Sequence, residues 1–374
     1  MLTPRSTLIR RIVSALDASP SRIPVLVGGC GSGRTTLVQQ IRDRVGRGAQ
    51  TLSINVERTA TTPERFRNAL AAASPVPMGE TPAAGARAAF DATLDFFNRA
   101  RTSGGEPLTF LLDEFLEFRT FESFPGLRRV LHELIDGIAL SGNRFVLSSR
   151  YVVRTLRLLR DRSARFEVIH MPGLTVEDTL DIVGMTAAAD AADAEYTART
   201  VHALADGRPS YVCALADELA AMRTHRGGDP VSALTALLVS DGRLSTLCRF
   251  CYELRLHRAR GYGALKAILD ILGEEEGLTL TEISQRLRRT PGSTKDYLSW
   301  LEDVDLVMSQ LKRYRFSDPL LRVWVRLHCA AAAPSDDDLA REVHHYALPR
   351  LPAQEPALVL ASAGGGGSGI IEID

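Results

Sequence analysis

Residues 25–36 read "VLVGGCGSGRTT": an apolar run, glycines at 28, 29, 31 and 33, then Arg34, Thr35 and Thr36. Gly28-x4-Gly33-Arg34-Thr35 has the spacing of a phosphate-binding loop, GxxxxGK[ST], except that arginine stands where the pattern has lysine. In such a loop the glycines let successive backbone N–H groups turn toward phosphate oxygens, and the helix that follows adds its positive end. The expected phosphate contacts are therefore Gly28, Gly29, Cys30, Gly31, Ser32, Gly33, Arg34 and Thr35, with Thr36 supporting the loop and the Thr35 hydroxyl on a magnesium ion. A dinucleotide fingerprint is excluded, because GxGxxG begun at Gly29 would need glycine at 34. Arginine keeps the positive charge and can grip phosphate with two parallel bonds, but its planar head is bulkier than an ammonium. Nucleotide binding is expected to persist and hydrolysis to be slow, since a misplacement of about 1 Å can cost roughly a hundredfold in rate.

The segment leading into the loop, "IPVLVGG" (23–29), is wholly apolar, as a central parallel strand buried on both faces must be. Further strands are expected over 51–56, 107–115, 144–150 and 166–171, separated by helical stretches at 35–45, 62–73, 83–101 and 124–140 and by the basic helix "YVVRTLRLLRDR". Strands alternating with helices imply an α/β fold with a doubly wound parallel sheet. This core is placed at 21–172, preceded by an N-terminal helix within 1–20. After Pro172 the pattern is helical to about 240, a small lid. From 241 to 330 three helices and an extended "MSQLKRYRFSD" suggest a winged helix-turn-helix. Residues 331–363, rich in Ala, Pro and Asp, read as a linker, and 364–374 as a flexible tail.

A second motif lies about eighty residues beyond the loop. "LTFLLDEF" places Asp113 and Glu114 at the tip of an apolar strand, where two charges need a reason. A magnesium–nucleotide site supplies one: Asp113 holds the ion through water and Glu114 polarises the attacking water. A third element, Ser148, Ser149 and Arg150, closes the next strand, where Arg150 could sense a terminal phosphate.

The loop, "FLLDEF", the strand-terminal Ser-Ser-Arg and "DGRPSYV" (206–212) together resemble the AAA+/STAND P-loop ATPase superfamily. Within it the chain is most similar to the archaeal-type ATPase group, related to origin-recognition ATPases. "RARGYGALKAILDIL", "STKDYLSWLEDVDLV" and "YRFSDPLLRVWVRLH", with its Asp-Pro-Leu-Leu-x-x-Trp signature, are similar to that group's C-terminal winged helix. The resemblance covers roughly residues 5–330. It implies ATP and Mg²⁺ as cofactors, and Pro209 in the Gly207-Arg208-Pro209 turn of the lid as a further nucleotide contact. It also implies a regulatory ATPase that passes its nucleotide state to a partner, with an ATP-dependent DNA-binding protein of origin-recognition or transposition-helper type as the alternative. Nucleotide-driven self-association, with an arginine within 154–160 completing a neighbour's site, is a further expectation.

Charge is balanced at 45 basic and 45 acidic residues, so no global field favours nucleic acid or an anionic membrane. The basic set holds 42 arginines and three lysines, Lys266, Lys295 and Lys312, a bias that makes arginine at position 34 less surprising. Residues 243–329 carry 15 Lys/Arg against 11 Asp/Glu, with Lys295, Lys312, Arg313 and Arg315 placed for DNA phosphates but Asp296, Glu302, Asp303 and Asp305 on the same helix against it. Five cysteines in a chain of this length form no secreted disulfide framework. Cys248 and Cys251, at i and i+3 of a helical stretch with no second pair, read as buried thiols; zinc would need His257 or His328 and Cys329 as well. With no signal peptide and no long apolar window, a soluble cytoplasmic protein is expected. The tail "GGGGSGIIEID" is either a tether whose "IIEID" docks on a protein partner's sheet edge or on this protein's own sheet, or a disordered or linker end.

Overall fold

Side-chain parity builds the core sheet. The computed structural model describes residues 5–45, 51–79, 85–186, 191–223, 228–257, 259, 261–330 and 332–352. Five strands, β1 (Ile23–Val27), β2 (Thr51–Asn55), β3 (Thr109–Asp113), β4 (Arg144–Ser149) and β5 (Phe166–His170), form one parallel sheet in the order β2-β3-β4-β1-β5. Leu26, Leu111, Val146 and Ile169 pack on one face with Ile9, Ile12 and Leu16 of the N-terminal helix and with Leu37, Val38 and Ile41 of helix Arg34–Val45. Their neighbours in sequence, Val25, Val27, Phe110, Leu112, Phe145 and Leu147, enter the larger core on the opposite face. There Phe110 and Phe145 stack at 5.1 Å, and Phe97 meets them edge-on at 5.0 and 5.8 Å. Each such pair adds about 1 kcal/mol beyond area burial.

The strand order has a functional consequence. β4 lies between β1 and β3, so the carboxyl ends of β1, β3 and β4 stand side by side at the crevice where open α/β sheets hold ligands.

Beyond the sheet, the stretch expected to be a lid holds helices Val176–Thr186, Ala191–Ala205, Pro209–Arg223 and Pro230–Leu238. Helices Arg243–Leu256, Tyr262–Glu274, Leu280–Leu287 and Pro291–Asp303 follow, then the hairpin β7 (Val307–Gln310) and β8 (Arg313–Phe316). With β6 (Leu278–Thr279) the hairpin forms a three-stranded antiparallel sheet in the order β6-β8-β7. Thr290 caps helix Pro291–Asp303, accepting from the Ser293 N–H at 3.4 Å.

Residues 241–330 hold five helices among the described residues, Pro319–His328 being the last, where the sequence reading has three, and two further segments differ. Residues 331–363 are not a plain linker: Asp336–Ala347 is a helix. Ser335 and Asp338 close a capping box at its start, and Leu339, Val343 and Tyr346 bury one face at helical spacing. The Ala, Pro and Asp content masked that periodicity. Directly after β3 the chain also forms a 3₁₀ helix, Phe115–Ser123, which the sequence reading passes over. The tail 364–374 lies outside the described residues. No helix among the described residues is long and apolar enough to cross a membrane.

Candidate functional site

The loop between β1 and helix Arg34–Val45 turns at Gly31 and Gly33, with φ of +75° and +81°, a region costly for any residue with a Cβ. Its start is pinned to the neighbouring strand by the Gly28 N–H donating to the Ser149 carbonyl at 3.3 Å. Helix formation then places Arg34 and Thr35 in one first turn, facing the tip of β3.

Loop and strand tip meet through side chains. The Thr35 hydroxyl donates to Asp113 Oδ2 at 3.2 Å, and Arg34 Nη2 donates to Glu114 Oε1 at 2.7 Å. Both members of the second pair are buried, Arg34 at 7% and Glu114 at 4% exposure. Arg34 Nη1 also donates to the Gly29 carbonyl at 2.8 Å, so the guanidinium lies back across its own loop. Asp113 is held further by Asn55 Nδ2 at 3.1 Å and by the Ser148 hydroxyl. Register explains Asn55: it pairs with Asp113 between β2 and β3.

Glu114 adopts a left-handed conformation (φ 58°), rare for a side-chain-bearing residue and typical of strained functional positions. Its N–H donates to Ser148 Oγ at 3.2 Å. The Arg150 N–H donates to Glu114 Oε2 at 3.0 Å, and Arg150 Nε forms an ion pair with the same oxygen at 3.1 Å. Arg150 also pairs with Glu57. Burial, the largest single influence, pushes the Glu114 carboxyl up. The Arg34 and Arg150 guanidiniums with Arg150's hydrogen bonds together outweigh it and hold the carboxyl below the ordinary glutamate range.

The start of helix Pro209–Arg223, in the expected lid, lies against the loop on another side. The Ser210 N–H donates to the Gly31 carbonyl at 3.2 Å, and a Cβ added at Gly31 would stand 2.0 Å from Ser210 Oγ. Pro209 sits beside Gly33, 3.9 Å from where a Cβ would be. Thr36 is half-buried on the first helical turn. Arg208 then ties the lid to the C-terminal unit, donating to the Ser317 carbonyl at 2.8 Å and pairing with Asp318 at 3.2 Å. Asp318 caps helix Pro319–His328 through the Leu320 and Leu321 N–H groups and accepts from the Tyr211 hydroxyl at 2.8 Å. Trp324 Nε1 donates to Ser245 at 3.0 Å. The Asp-Pro-Leu-Leu-x-x-Trp stretch is thus a mechanical link between the lid and the C-terminal helices.

Cys30, Gly31, Arg34, Thr35, Glu57, Glu114, Arg150, Ser210, Tyr211, Leu247, Phe250 and Cys251 enclose a cavity of about 210 Å³. Within it Arg34 Nε and Ser210 Oγ are buried without hydrogen-bond partners among the described residues. These orphaned groups, the glycine turns and the Thr35–Asp113 oxygen pair fit the phosphates and magnesium of a nucleotide; Mg²⁺ takes few protein oxygens and keeps several waters. Sequence reasoning passed over Asn55, Glu57 and Cys251. Asn55 ends β2 and Glu57 follows it, but β2 alternates polar and apolar residues, so neither is conspicuous as Asp113 is at the tip of β3, and Cys251 becomes part of the site through tertiary packing alone. Of the arginines within 154–160, one of which is expected to complete a neighbour's site, Arg154 lies over the Tyr151 and Trp300 rings at 5.3 and 5.9 Å, Arg157 pairs with Asp303 at 2.6 Å, and Arg160 is exposed.

No protein-family model and no curated protein matches the chain. Among solved structures it is similar to a Walker-type ATPase of Pyrococcus abyssi, at 14% identity and TM-score 0.64, with 87% of this chain and 96% of that one covered. It also aligns with the ORC1 protein of Aeropyrum pernix in complex with DNA, at 15% identity and TM-score 0.46 over 92% and 93% of the two chains. A third match is the RuvB Holliday junction branch migration motor of Thermotoga maritima, at 12% identity and TM-score 0.42 over 83% and 91%. The chain has the α/β fold of a P-loop ATPase followed by a helical domain.

Proposed function

We propose that the chain binds ATP with Mg²⁺ between residues 28–36 and the tip of β3, hydrolyses it slowly, and transmits the nucleotide state through its C-terminal winged helix to a partner. The observation that carries this is the direct bonding of Arg34 to Glu114 and of Thr35 to Asp113 around one cavity. Backbone N–H groups from Gly29 to Gly33 and the start of helix Arg34–Val45 would hold the phosphates, and Thr35 and Asp113 the ion. Magnesium, when bound, neutralises developing charge on the phosphates. Glu114 orients the attacking water, and Arg150, one residue past β4, steadies the terminal phosphate.

Arg34 accounts for the slow rate. Its guanidinium is shared between Gly29 and Glu114, so a triphosphate entering the loop must draw it off the carboxylate that catalysis needs. The linkage Gly31–Ser210, Arg208–Asp318 gives that movement a path to the C-terminal unit. Wild type should release phosphate slowly but measurably with MgATP, and Glu114→Gln should release none while still binding. Equal release by the two proteins would remove Glu114 from the reaction.

A DNA-binding reading has one observation in its favour: Lys295, Lys312, Arg313 and Arg315 are all exposed. Of the acids that would repel phosphates, Asp303 is paired with Arg157 and Asp305 accepts from the Val152 N–H, while Asp296 is exposed beside Lys295. A mobility shift across salt concentrations, with and without ATP, tests it. A salt-dependent shift that Lys312→Glu with Arg315→Glu abolishes would support it.

A further inference from the structure

Two thiols line the cavity, and the mechanism above uses neither. Cys30 is in the phosphate loop and half-buried; Cys251, on helix Arg243–Leu256, is buried and lines the same cavity. They belong to segments more than two hundred residues apart that the fold brings together around this one cavity. Arg255 Nη2 donates to Cys30 Sγ at 3.8 Å, one turn along the same helix from Cys251. The other member of the Cys-x-x-Cys pair is elsewhere: Cys248 is buried beside the Tyr211 hydroxyl at 3.8 Å.

We propose that Cys30 and Cys251 form a reversible disulfide that locks the phosphate loop to helix Arg243–Leu256 and closes the cavity to nucleotide. The arrangement divides the work of such a pair. Cys30 borders the cavity, where a small oxidant can reach it, and Cys251 stands behind it as the resolving thiol. Cys251 beside it, and then the Arg255, Arg150 and Arg34 guanidiniums, favour the Cys30 thiolate and hold its thiol well below the ordinary range against the effect of burial. Cys30 and burial push Cys251 up, and burial pushes Cys248 up.

With hydrogen peroxide as oxidant the steps balance. The Cys30 thiolate attacks one peroxide oxygen, the O–O bond breaks, and hydroxide leaves to become water, giving a sulfenic acid. Cys251 sulfur then attacks Cys30 sulfur, the S–O bond breaks, and the departing hydroxide takes the Cys251 proton as a second water. Two thiols lose two electrons in all and the peroxide gains them. A dithiol reverses the bond by exchange.

The lock deepens the ATP-binding function proposed above and rests on it; the cross-link itself does not. The test uses the full chain, reduced, then treated with hydrogen peroxide and alkylated. Peptide mapping without reductant should find residues 30 and 251 joined, and MgATP present beforehand should slow the joining. Titration with a fluorescent ATP analogue should show affinity at least about tenfold weaker after oxidation, restored by dithiothreitol. In Cys251→Ala, dimedone should trap the sulfenic acid on Cys30 and no disulfide should form. A map showing Cys248–Cys251, or Cys30 oxidised without a bond to Cys251, would overturn the proposal. So would an oxidised, cross-linked protein that binds the analogue as tightly as the reduced one. Reduced protein that binds no nucleotide would instead defeat the function proposed above, with the peptide map still deciding the cross-link.

Discussion

Replacing Glu114 with alanine leaves two buried guanidiniums, Arg34 and Arg150, around a space that held one carboxylate. Removing one partner of a buried ion pair costs about 3–5 kcal/mol, because the remaining charge is desolvated and uncompensated. Arg150 keeps Glu57 and Arg34 keeps the Gly29 carbonyl, so the lower end, about 3 kcal/mol, applies. For a unit the size of the sheet domain this is a fall of roughly 6–12 °C in its melting temperature. Nucleotide should narrow the gap. A triphosphate gives Arg34 a new anionic partner in the variant, whereas in wild type it must first separate Arg34 from Glu114. MgATP should therefore raise the melting temperature of Glu114→Ala by more than that of wild type. Differential scanning calorimetry of both proteins, each with and without MgATP, measures all four values. A variant that melts within about 1 °C of wild type would show that Arg34 and Glu114 do not form the buried pair described.

Other perturbations test separate links. Asp318→Ala removes a helix cap, about 1 kcal/mol, and leaves the buried Tyr211 hydroxyl and Arg208 without their carboxylate, about 1–3 kcal/mol more; chemical denaturation should show the sum, and an unchanged midpoint would refute the link. Asp305 accepts from the Val152 N–H at 2.6 Å, and burial raises its carboxyl to about 6 despite Arg255 and the Val152 and Val153 N–H groups. Because burial raises the folded value, stability is highest below the ordinary aspartate range, where the carboxyl is neutral in both states, and falls as pH rises through about 6 and the buried group must ionise. Asp305→Asn should flatten that stretch of the melting-temperature profile; a profile parallel to wild type would contradict the assignment. Gly31→Ala forces a Cβ toward Ser210 at a positive φ, and should weaken ATP binding with little change in the far-ultraviolet circular dichroism; unchanged binding would mean that the lid does not set the loop.

The sheet was legible because its central strands have apolar cores and are short, and because glycines and prolines separate them from amphipathic helices. The order of the chemistry along the chain, 28–36 and then 113–114 and 148–150, was legible for the same reason: polar residues at the tips of buried strands are conspicuous. Contacts made between distant segments were not. That Asp318 serves at once as a cap and as the anchor for Arg208 and Tyr211 depends on a packing of lid against C-terminal helices that no local pattern encodes. Cys251 likewise reads as an ordinary buried thiol until helix Arg243–Leu256 is seen against the loop. The helix at Asp336–Ala347 is a different case, since its capping box and apolar spacing were present in the sequence and composition alone hid them.

Calorimetric titration of MgATP into wild type and Arg34→Ala bears most directly on the claim that residues 28–36 and Asp113–Glu114 jointly hold a nucleotide. Wild type should bind one equivalent, and Arg34→Ala should bind at least about tenfold more weakly, the loss of a charge-assisted contact to phosphate. Identical affinities for the two proteins would contradict it.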